Sequence, residues 1–173
     1  ALMGLSYNIP FLTVLGFSSA LLHAVNHSLF KPLLFFASGN VYNSTGETSL
    51  EKLGGLGRTM PVTSASFLAG SIAISGLPPF NGFASEFMLY WAFIQGIISG
   101  NVFVSTVSAV CMGMLAFAGG MALLAFTKAT GIAFLGLPRS EGAARGCEGS
   151  HLTRIPFYIQ IAFMTIIGIM PAL

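Results

Sequence analysis

Charged residues are scarce in this chain of 173 residues, and aspartate is missing from it altogether. Only 7% of the residues are charged, against about 25% in an ordinary soluble domain. Hydrophobic residues make up 54%, and the mean hydropathy is +0.83. This lack of charge argues against a soluble domain and indicates a membrane protein. The formal net charge of +2 is too small to imply a nucleic-acid partner.

Cysteine is rarer still, and the two cysteines lie far apart. Cys111 falls in an apolar segment and Cys147 in a polar one, so a disulfide framework is not expected. The sequence has no phosphate-binding loop, no dinucleotide-binding glycine motif and no cysteine cluster for iron–sulfur binding. We therefore predict no cofactor, no metal and no catalytic residue within this chain, and any electron transfer would belong to other subunits.

Apolar segments alternate with short polar loops along the chain, which is long enough for about five membrane crossings of about 20 residues. This pattern predicts an all-α, polytopic transmembrane helix bundle, with residues 1–9 as the end of a preceding span. The predicted spans are 11–42, 61–76, 83–99, 102–135 and 155 to the terminus, with polar loops at 43–60 and 137–154. Pro32 removes a backbone donor within the first of these spans, so we expect a local kink there.

The stretch GLPPFNG at residues 76–82 must break a helix, because it places two prolines, an asparagine and two glycines in an apolar region. Residues 61–99 are then either two crossings or one discontinuous helix. The loop at 137–154 holds three arginines, so the positive-inside rule places it in the cytoplasm. With two crossings, the loop at 43–60 faces the opposite side, which is our expectation. With one discontinuous helix, both loops share a side.

His23, His27 and Lys31 are spaced four residues apart in the first long span, so they form a stripe on one helix face. The stripe climbs about 12 Å of helix axis. Other polar residues fall on or beside this face, namely Ser19, Asn26 and Ser38. A lysine at membrane depth costs about 2.5–3.5 kcal/mol on insertion scales, so it must face protein or water. Titratable groups stacked in this setting suggest a path for protons.

Glu86 is the second informative residue, because it follows the break by four residues and no neighbour in sequence can pair with it. Broken helices of transporters place backbone dipoles and water near buried ionisable groups. Glu86 could instead lie at the membrane boundary, where the break reaches water. We therefore take Lys31 and Glu86 as the candidate groups that take and release protons.

Simpler interpretations of the stripe stay open. His23 and His27 could be packed histidines bonded to backbone or serine, and their spacing could also suit a metal, although no third ligand lies nearby in sequence. Lys31 could be an interhelical salt-bridge partner, and Lys128 could reach the interface from its span's end. The charged residues of the later loop are expected to form a solvated face, namely Arg139, Glu141, Arg145 and Glu148.

Four motifs together resemble the antiporter-like, proton-conducting membrane subunits of complex I and membrane-bound hydrogenases, with the hydrogenase-4 and formate hydrogenlyase type as the nearest. They are LLHAVNHSLFKPLLFFASGNV, LGGLGRTMP, ISGLPPFNGFASEFMLY and KATGIAFLGLPRS. The resemblance implies that residues 1–173 are a single membrane domain from the second half of a larger subunit. We also expect a fragment because the chain starts with alanine and opens and closes inside apolar segments. Pro32 departs from the small residue that this type has after the lysine.

The resemblance also implies roles for particular residues. His23, His27 and Lys31 match the family's central proton-relay helix, Glu86 matches an acidic or lysine residue after the broken segment, and Lys128 matches a lysine of the hydrogenase type. The implied function is proton translocation, non-catalytic in itself, within a redox-driven complex of the inner cell membrane. The implied partners are other membrane subunits, a peripheral redox arm, the lipid bilayer and protons, or else sodium ions.

Two other functions stay open at the level of sequence. The chain could belong to a multisubunit sodium/proton antiporter, because large subunits of such antiporters share this ancestry. It could also be a passive membrane anchor that docks redox subunits and holds a haem or metal through His23 and His27. Exchange activity without a redox partner would favour the first function, and a haem spectrum would favour the second.

Overall fold

Helices are the regular elements of residues 1–170, the part of the chain that the computed structural model describes, and no strand occurs among those residues. The predicted all-α helix bundle is confirmed. The helices are α1 Leu2–Ser6, α2 Pro10–Thr45, α3 Leu56–Thr59, α4 Pro61–Ile74, α5 Asn81–Ile97, α6 Val102–Phe134, α7 Glu141–Arg145 and α8 His151–Ile169, with a short 3₁₀ turn at Leu50–Lys52.

Local sequence explains where the long helices begin and end. Pro10 and Pro61 occupy the first positions of α2 and α4, where a missing backbone donor costs nothing. Gly46 ends α2 in the left-handed conformation that glycine adopts readily. Asn101 caps α6, because its side chain accepts a hydrogen bond from the backbone N–H of Val104. Helix α2 continues through Pro32.

The segment from α4 to α5 runs antiparallel to α2 along most of its length. Successive contacts join Thr63 to Asn40, Gly70 to Leu34, Asn81 to Asn26, Ser85 to His23, and Gly96 to Leu12. Along these contacts the residue numbers on α2 decrease steadily while those on α4 and α5 increase. The chain therefore does not reverse direction at the break. Helices α4 and α5 are therefore two parts of one discontinuous helix.

Helix lengths lead to the same conclusion. Helix α4 has 14 residues and α5 has 17, which correspond to about 21 Å and 26 Å of axis. Each is shorter than a hydrocarbon core of about 30 Å, whereas α2 with 36 residues reaches about 54 Å. By length and apolar composition, α6 and α8 each suffice to cross a membrane. Each half is thus too short for one crossing, whereas α4 and α5 together have the length of one.

Both polar loops lie at the same end of the bundle, which we call the loop end. The backbone N–H of Gly55 donates to Leu135 O at 2.9 Å, and Ser44 Oγ donates to Cys147 O at 2.9 Å. The expectation that the two loops face opposite sides is wrong. It assumed two crossings between residues 61 and 99, and the discontinuous helix supplies only one.

Three apolar clusters hold the helices together at successive levels. The cluster at the loop end contains Leu56, Met60 and Phe134, among other residues. The middle cluster joins α2 to α8 through Phe30 and Phe157, which are 1% and 0% exposed. Much of the surface of α2 and α6 remains exposed and apolar. The break lies next to the middle cluster, because Phe80 packs against it.

Candidate functional site

Two asparagines attach the start of α5 to the middle of α2. Asn26 Nδ2 donates to the backbone oxygen of Asn81 at 2.7 Å, and Asn81 Nδ2 donates to Asn26 Oδ1 at 3.1 Å. Both residues are 0% exposed. A buried amide is costly unless it is hydrogen-bonded, so this pairing fixes the position of the break against α2.

Glycines allow the backbone to pack closely around the break. A Cβ atom at Gly82 would collide with the carbonyl oxygen of Ala73, so α4 and α5 approach each other closely only because this residue lacks a side chain. A Cβ atom at Gly168 would collide with the backbone of Pro79 and Phe80. The break is therefore enclosed between α2 on one side and α8 on another.

Glu86 projects into a cavity of about 270 Å³ between α5 and α6. Its lining also includes Ser75, Tyr90 and Gly119. The carboxyl group of Glu86 packs directly against Gly76, which has a φ of 66° and no room for a Cβ atom. Glu86 forms no ion pair with any residue between 1 and 170. The structure thus places a half-buried carboxyl group beside the break.

His23 contacts α5 one residue before Glu86. Its Nδ1 atom lies 3.1 Å from Ser85 Oγ, and the Ser85 hydroxyl donates to the backbone oxygen of Gly82 at 3.1 Å. The hydroxyl of Ser85 has a single hydrogen, so when that hydrogen is donated to Gly82 O, Nδ1 is the donor towards Ser85. In the neutral ring, this arrangement leaves Nε2 as the proton acceptor.

The whole stripe lies on an exposed side of α2, His23 included. His27 and Lys31 are exposed, and the ring of His27 contacts Phe30 with centroids 5.4 Å apart. Lys31 has no salt-bridge partner in the described part of the chain, and neither does the exposed Lys128. The structure connects His23 to the helix of Glu86, but it does not bring Lys31 or Lys128 to a carboxyl group. Their relay roles stay predictions.

Sequence reasoning missed the contact residues at the break. Asn81 and Ser85 are four residues apart, so they share one face of α5, and that face meets Asn26 and His23 on α2. Ser19 and Asn26, expected on or beside the stripe, are 2% and 0% exposed and therefore buried. The signal available in the sequence was the spacing of Asn81 and Ser85, two polar residues four apart that follow the double proline.

The later loop is not simply a solvated face. The carboxylate of Glu148 accepts hydrogen bonds from the backbone N–H groups of Val62 and Thr63, at 2.8 Å and 3.2 Å, and from Thr63 Oγ1. It therefore caps the N-terminus of α4, where a negative charge is favourable. Glu141 and Arg145 match the expectation, with side chains 89% and 80% exposed, and Arg139 is exposed as well.

Comparison with known proteins identifies the family. Residues 1–127 match the family model described as NADH:quinone oxidoreductase/Mrp antiporter, transmembrane. The chain belongs to this family. The resemblance inferred from the four motifs is thereby confirmed, and the discontinuous helix with Glu86 lies within the matched residues.

Curated relatives within the NADH:quinone oxidoreductase/Mrp antiporter family include two proteins of Escherichia coli strain K12. The chain is 40% identical to formate hydrogenlyase subunit 3 over 94% of its length, and 37% identical to hydrogenase-4 component B over 98%. It covers 26% and 25% of these relatives, so it spans about a quarter of their length.

A solved structure supports the fold assignment within this family. A chain of the membrane-bound sulfane sulfur reductase, an archaeal respiratory membrane complex, superposes with a TM-score of 0.74 at 26% identity. The superposition covers 89% of this chain and 24% of the other. Members of the family are thus parts of multisubunit membrane complexes.

Proposed function

We propose that this chain is a proton-translocating segment of a larger membrane subunit in a redox-driven complex, of the hydrogenase-4 and formate hydrogenlyase type. Its two relatives from Escherichia coli support this type, at 40% and 37% identity. The chain itself offers groups that carry protons, and other subunits would supply the electron-transfer chemistry. We expect the subunit to act as a translocating and not as a catalytic component.

The observation that carries this proposal is Glu86, which faces a cavity at a break in a membrane helix. Discontinuous helices in transporters line the places where ions and protons bind, because the interrupted backbone supplies dipoles and admits water. Ser85 links the same segment to His23 on α2. Ser85 and His23 meet on the side of α5 that faces α2, whereas Glu86 faces α6 from the next residue. The proposed route passes from the imidazole around α5 to the carboxyl group.

In the proposed relay, His27 and Lys31 extend this route along α2. Lys128 is a further proton-relay residue, on α6. Lys31 is exposed on the surface of the described chain, and a lysine facing lipid would cost about 2.5–3.5 kcal/mol. We therefore propose that a further membrane segment of the larger subunit covers this surface and encloses Lys31. The function of Glu86 would be to gate the exit or the next half-channel.

The proposed setting is a multi-pass subunit in the inner cell membrane, with other membrane subunits and a peripheral redox arm as partners. Most of the cationic side chains lie in the loops and the start of α8 at the loop end, namely Lys52, Arg58, Arg139, Arg145 and Arg154. By the positive-inside rule, we place the loop end in the cytoplasm. The route from Glu86 would then cross between that side and the opposite one.

The test is proton uptake into vesicles that contain the complete complex, with redox turnover monitored in parallel. We expect Glu86→Gln and Lys31→Ala to abolish most of the uptake while the complex still assembles. Matched controls are Glu141→Gln and Lys52→Ala, because both side chains lie in exposed loops, and they should leave uptake unchanged. Normal uptake in both test variants would overturn the relay, and uptake that requires sodium ions would favour sodium/proton exchange instead.

A further inference from the structure

An apolar groove lies between α4 and α6 and reaches the loop end. It is a cavity of about 220 Å³ whose lining runs along α6 from Leu123 to Leu135, which correspond to about 18 Å of helix axis. Leu135 accepts a hydrogen bond from the backbone N–H of Gly55, so this end of the groove is at the loop end. One leaflet contributes about 15 Å to a hydrocarbon core of about 30 Å. The groove therefore has the length of one leaflet.

The surface of the groove is formed mainly by carbon atoms. Large apolar side chains from both helices line it, namely Leu68, Ile72, Leu123 and Phe126. Ser75 and Thr130 also line it, but their oxygen atoms are buried, so these residues present carbon to the groove. The hydroxyl of Ser71 is bonded within its own helix, to Phe67 O. A hydrocarbon chain fits such a surface, because it needs no hydrogen bonds.

The groove is open on its outer side. Leu68 and Leu135 are 47% and 65% exposed, and a Cβ atom at Gly131 would meet nothing within 4 Å. An open apolar surface on two membrane helices is accessible to lipid from the side. The groove thus has the length, the surface and the access that an acyl chain requires.

Arg58 supplies a positive charge at the mouth of the groove. It is exposed on α3, directly after Gly57, which touches both walls. A Cβ atom at Gly57 would lie 2.8 Å from Phe134 O of α6 and 3.6 Å from Ser64 Oγ of α4. Arg58 forms no ion pair with any residue between 1 and 170. Its guanidinium group is therefore available to a phosphate, which arginine binds in a bidentate geometry.

Lys128 supplies a second positive charge at the edge of the groove. It is exposed on α6 and precedes Gly131 by three residues, so the two residues share a side of the helix. A lysine can keep its apolar stem on such a surface while its ammonium group reaches the head-group region. No aspartate or glutamate lines the groove, so nothing there would bind the cationic part of a zwitterionic head group. Basic sites between membrane helices bind anionic head groups.

We propose that the groove between α4 and α6 binds an anionic phospholipid of the loop-end leaflet, with an acyl chain in the groove and the phosphate at Arg58 and Lys128. The site does not require Glu86 and goes beyond the proposed function. For Lys128 it is an alternative to the proton relay. Lipid labelling and proton uptake, measured on the same variants, separate the two roles.

The first experiment asks which lipid occupies the groove. The full-length subunit in its complex is reconstituted into vesicles of phosphatidylethanolamine and phosphatidylglycerol, with a trace of a probe lipid that carries a diazirine in its acyl chain. The probe has either a phosphatidylglycerol or a phosphatidylcholine head group. After illumination, mass spectrometry of peptides locates the labelled residues. Leu68 reports on the groove, and Leu124 is the control because it is 64% exposed on α6 and lies outside the groove.

We expect the phosphatidylglycerol probe to label Leu68 severalfold more than the phosphatidylcholine probe does, whereas the two probes should label Leu124 equally. Equal labelling of Leu68 by the two probes would overturn the proposal. So would an absence of labelling at Leu68, which is the result expected if another helix of the larger subunit covers the groove.

The second experiment removes the charges. Arg58→Gln and Lys128→Gln should each reduce the preference for phosphatidylglycerol at Leu68. Arg145→Gln is the matched control, because Arg145 is 80% exposed and pairs with Glu141 in α7, and it should keep the full preference. A full preference in Arg58→Gln would overturn the phosphate site. Lost proton uptake with unchanged labelling in Lys128→Gln would assign Lys128 to the relay and overturn its part in the lipid site.

The third experiment fills the groove. Gly131→Leu places a side chain in the open space and should lower the labelling of Leu68 severalfold. Gly113→Leu is the matched control, because Gly113 has equally open space on the same helix but does not line the groove. If Gly131→Leu fails to assemble, Thr127→Phe replaces it, since Thr127 is exposed and lines the groove. Unchanged labelling of Leu68 in the filled variant would show that no chain lies there.

Discussion

His23 Nδ1 lies 3.1 Å from Ser85 Oγ, and this contact links the titratable stripe of α2 to the helix that carries Glu86. Ser85 is 1% exposed, and its Oγ atom also lies 3.1 Å from Gly82 O. A hydroxyl that donates to Gly82 O can only accept from the imidazole, so we expect this contact to select which ring nitrogen of His23 is free to accept a proton. In a proton relay through a histidine, one ring nitrogen accepts a proton while the other already carries one.

Replacing Ser85 should leave the imidazole of His23 free to adopt either tautomer. For Ser85→Ala, we expect the ¹⁵N resonances of His23 to change from a single Nδ1–H form to a mixture of both tautomers, and proton uptake to fall. Ser28→Ala is the control, because Ser28 is exposed on α2 and bonds only to Val25 O in its own helix. An unchanged ¹⁵N pattern in Ser85→Ala would show that Ser85 does not set the tautomer.

A side chain at Gly76 should be unfavourable, for two separate reasons. Its φ of 66° is costly for alanine, by about 1–2 kcal/mol, and an added Cβ atom would collide with the Glu86 carboxyl group. Gly100 has a similar φ of 79° but open space around it, so Gly100→Ala isolates the backbone cost. We expect both variants to unfold at lower temperature, with Gly76→Ala the more affected.

Proton uptake separates the two glycine variants further. Gly76→Ala should lose uptake because it displaces Glu86, whereas Gly100→Ala should keep it. If the two variants had the same unfolding temperature and the same proton uptake, the contact between Gly76 and Glu86 would matter for neither property.

Asn26 and Asn81 should depend on each other for stability. Each single change to alanine leaves a partner amide buried without its hydrogen bond, which costs about 1–3 kcal/mol. In a double-mutant cycle measured by thermal unfolding, we expect a coupling energy of about 0.5–3 kcal/mol between Asn26→Ala and Asn81→Ala. Asn43→Ala, at an exposed position near the end of α2, should be almost neutral. If the losses of stability in the two single variants simply added, the predicted dependence of Asn26 and Asn81 on each other would be contradicted.

Glu148 should matter more than the other loop carboxylate. Glu148→Gln removes the charge at the N-terminus of α4, and we expect a loss of about 0.5–2 kcal/mol in unfolding free energy. Glu141→Gln, on an exposed side chain, should change it by less than about 0.5 kcal/mol. Thermal unfolding of the purified subunit compares the two, and an equal effect would reject the capping role.

Composition and spacing predicted the elements of the fold well, because apolar runs and prolines act locally. The double proline at Pro78 and Pro79 marked the break, and α6 was predicted to within one residue at each end. The side on which the loops lie depends on whether the chain turns at the break. That choice is made by the packing of α4 and α5 on α2, which hydropathy does not record.

The candidate site was only partly predictable for a similar reason. Glu86 stands out because a carboxyl group in an apolar segment is unusual, but Ser85 and Asn81 are ordinary residues until a partner helix meets them. Glu148 and Glu141 look alike in sequence, and only the contact with the first turn of α4 distinguishes them. The distribution of exposed surface on α2 depends on neighbouring helices and is equally invisible in a sequence.

The discontinuous helix also constrains how this protein is made. Since α4 and α5 are each too short to cross the hydrocarbon core, the insertion machinery must accept residues 61–97 as one unit with a polar interruption at its centre. Helix α2 is synthesised earlier and already presents Asn26 to meet the interruption, whereas Gly168 arrives only with the last helix. We therefore expect integration of the broken segment to depend on α2 being present, and its final anchoring to be delayed until α8 has entered the membrane.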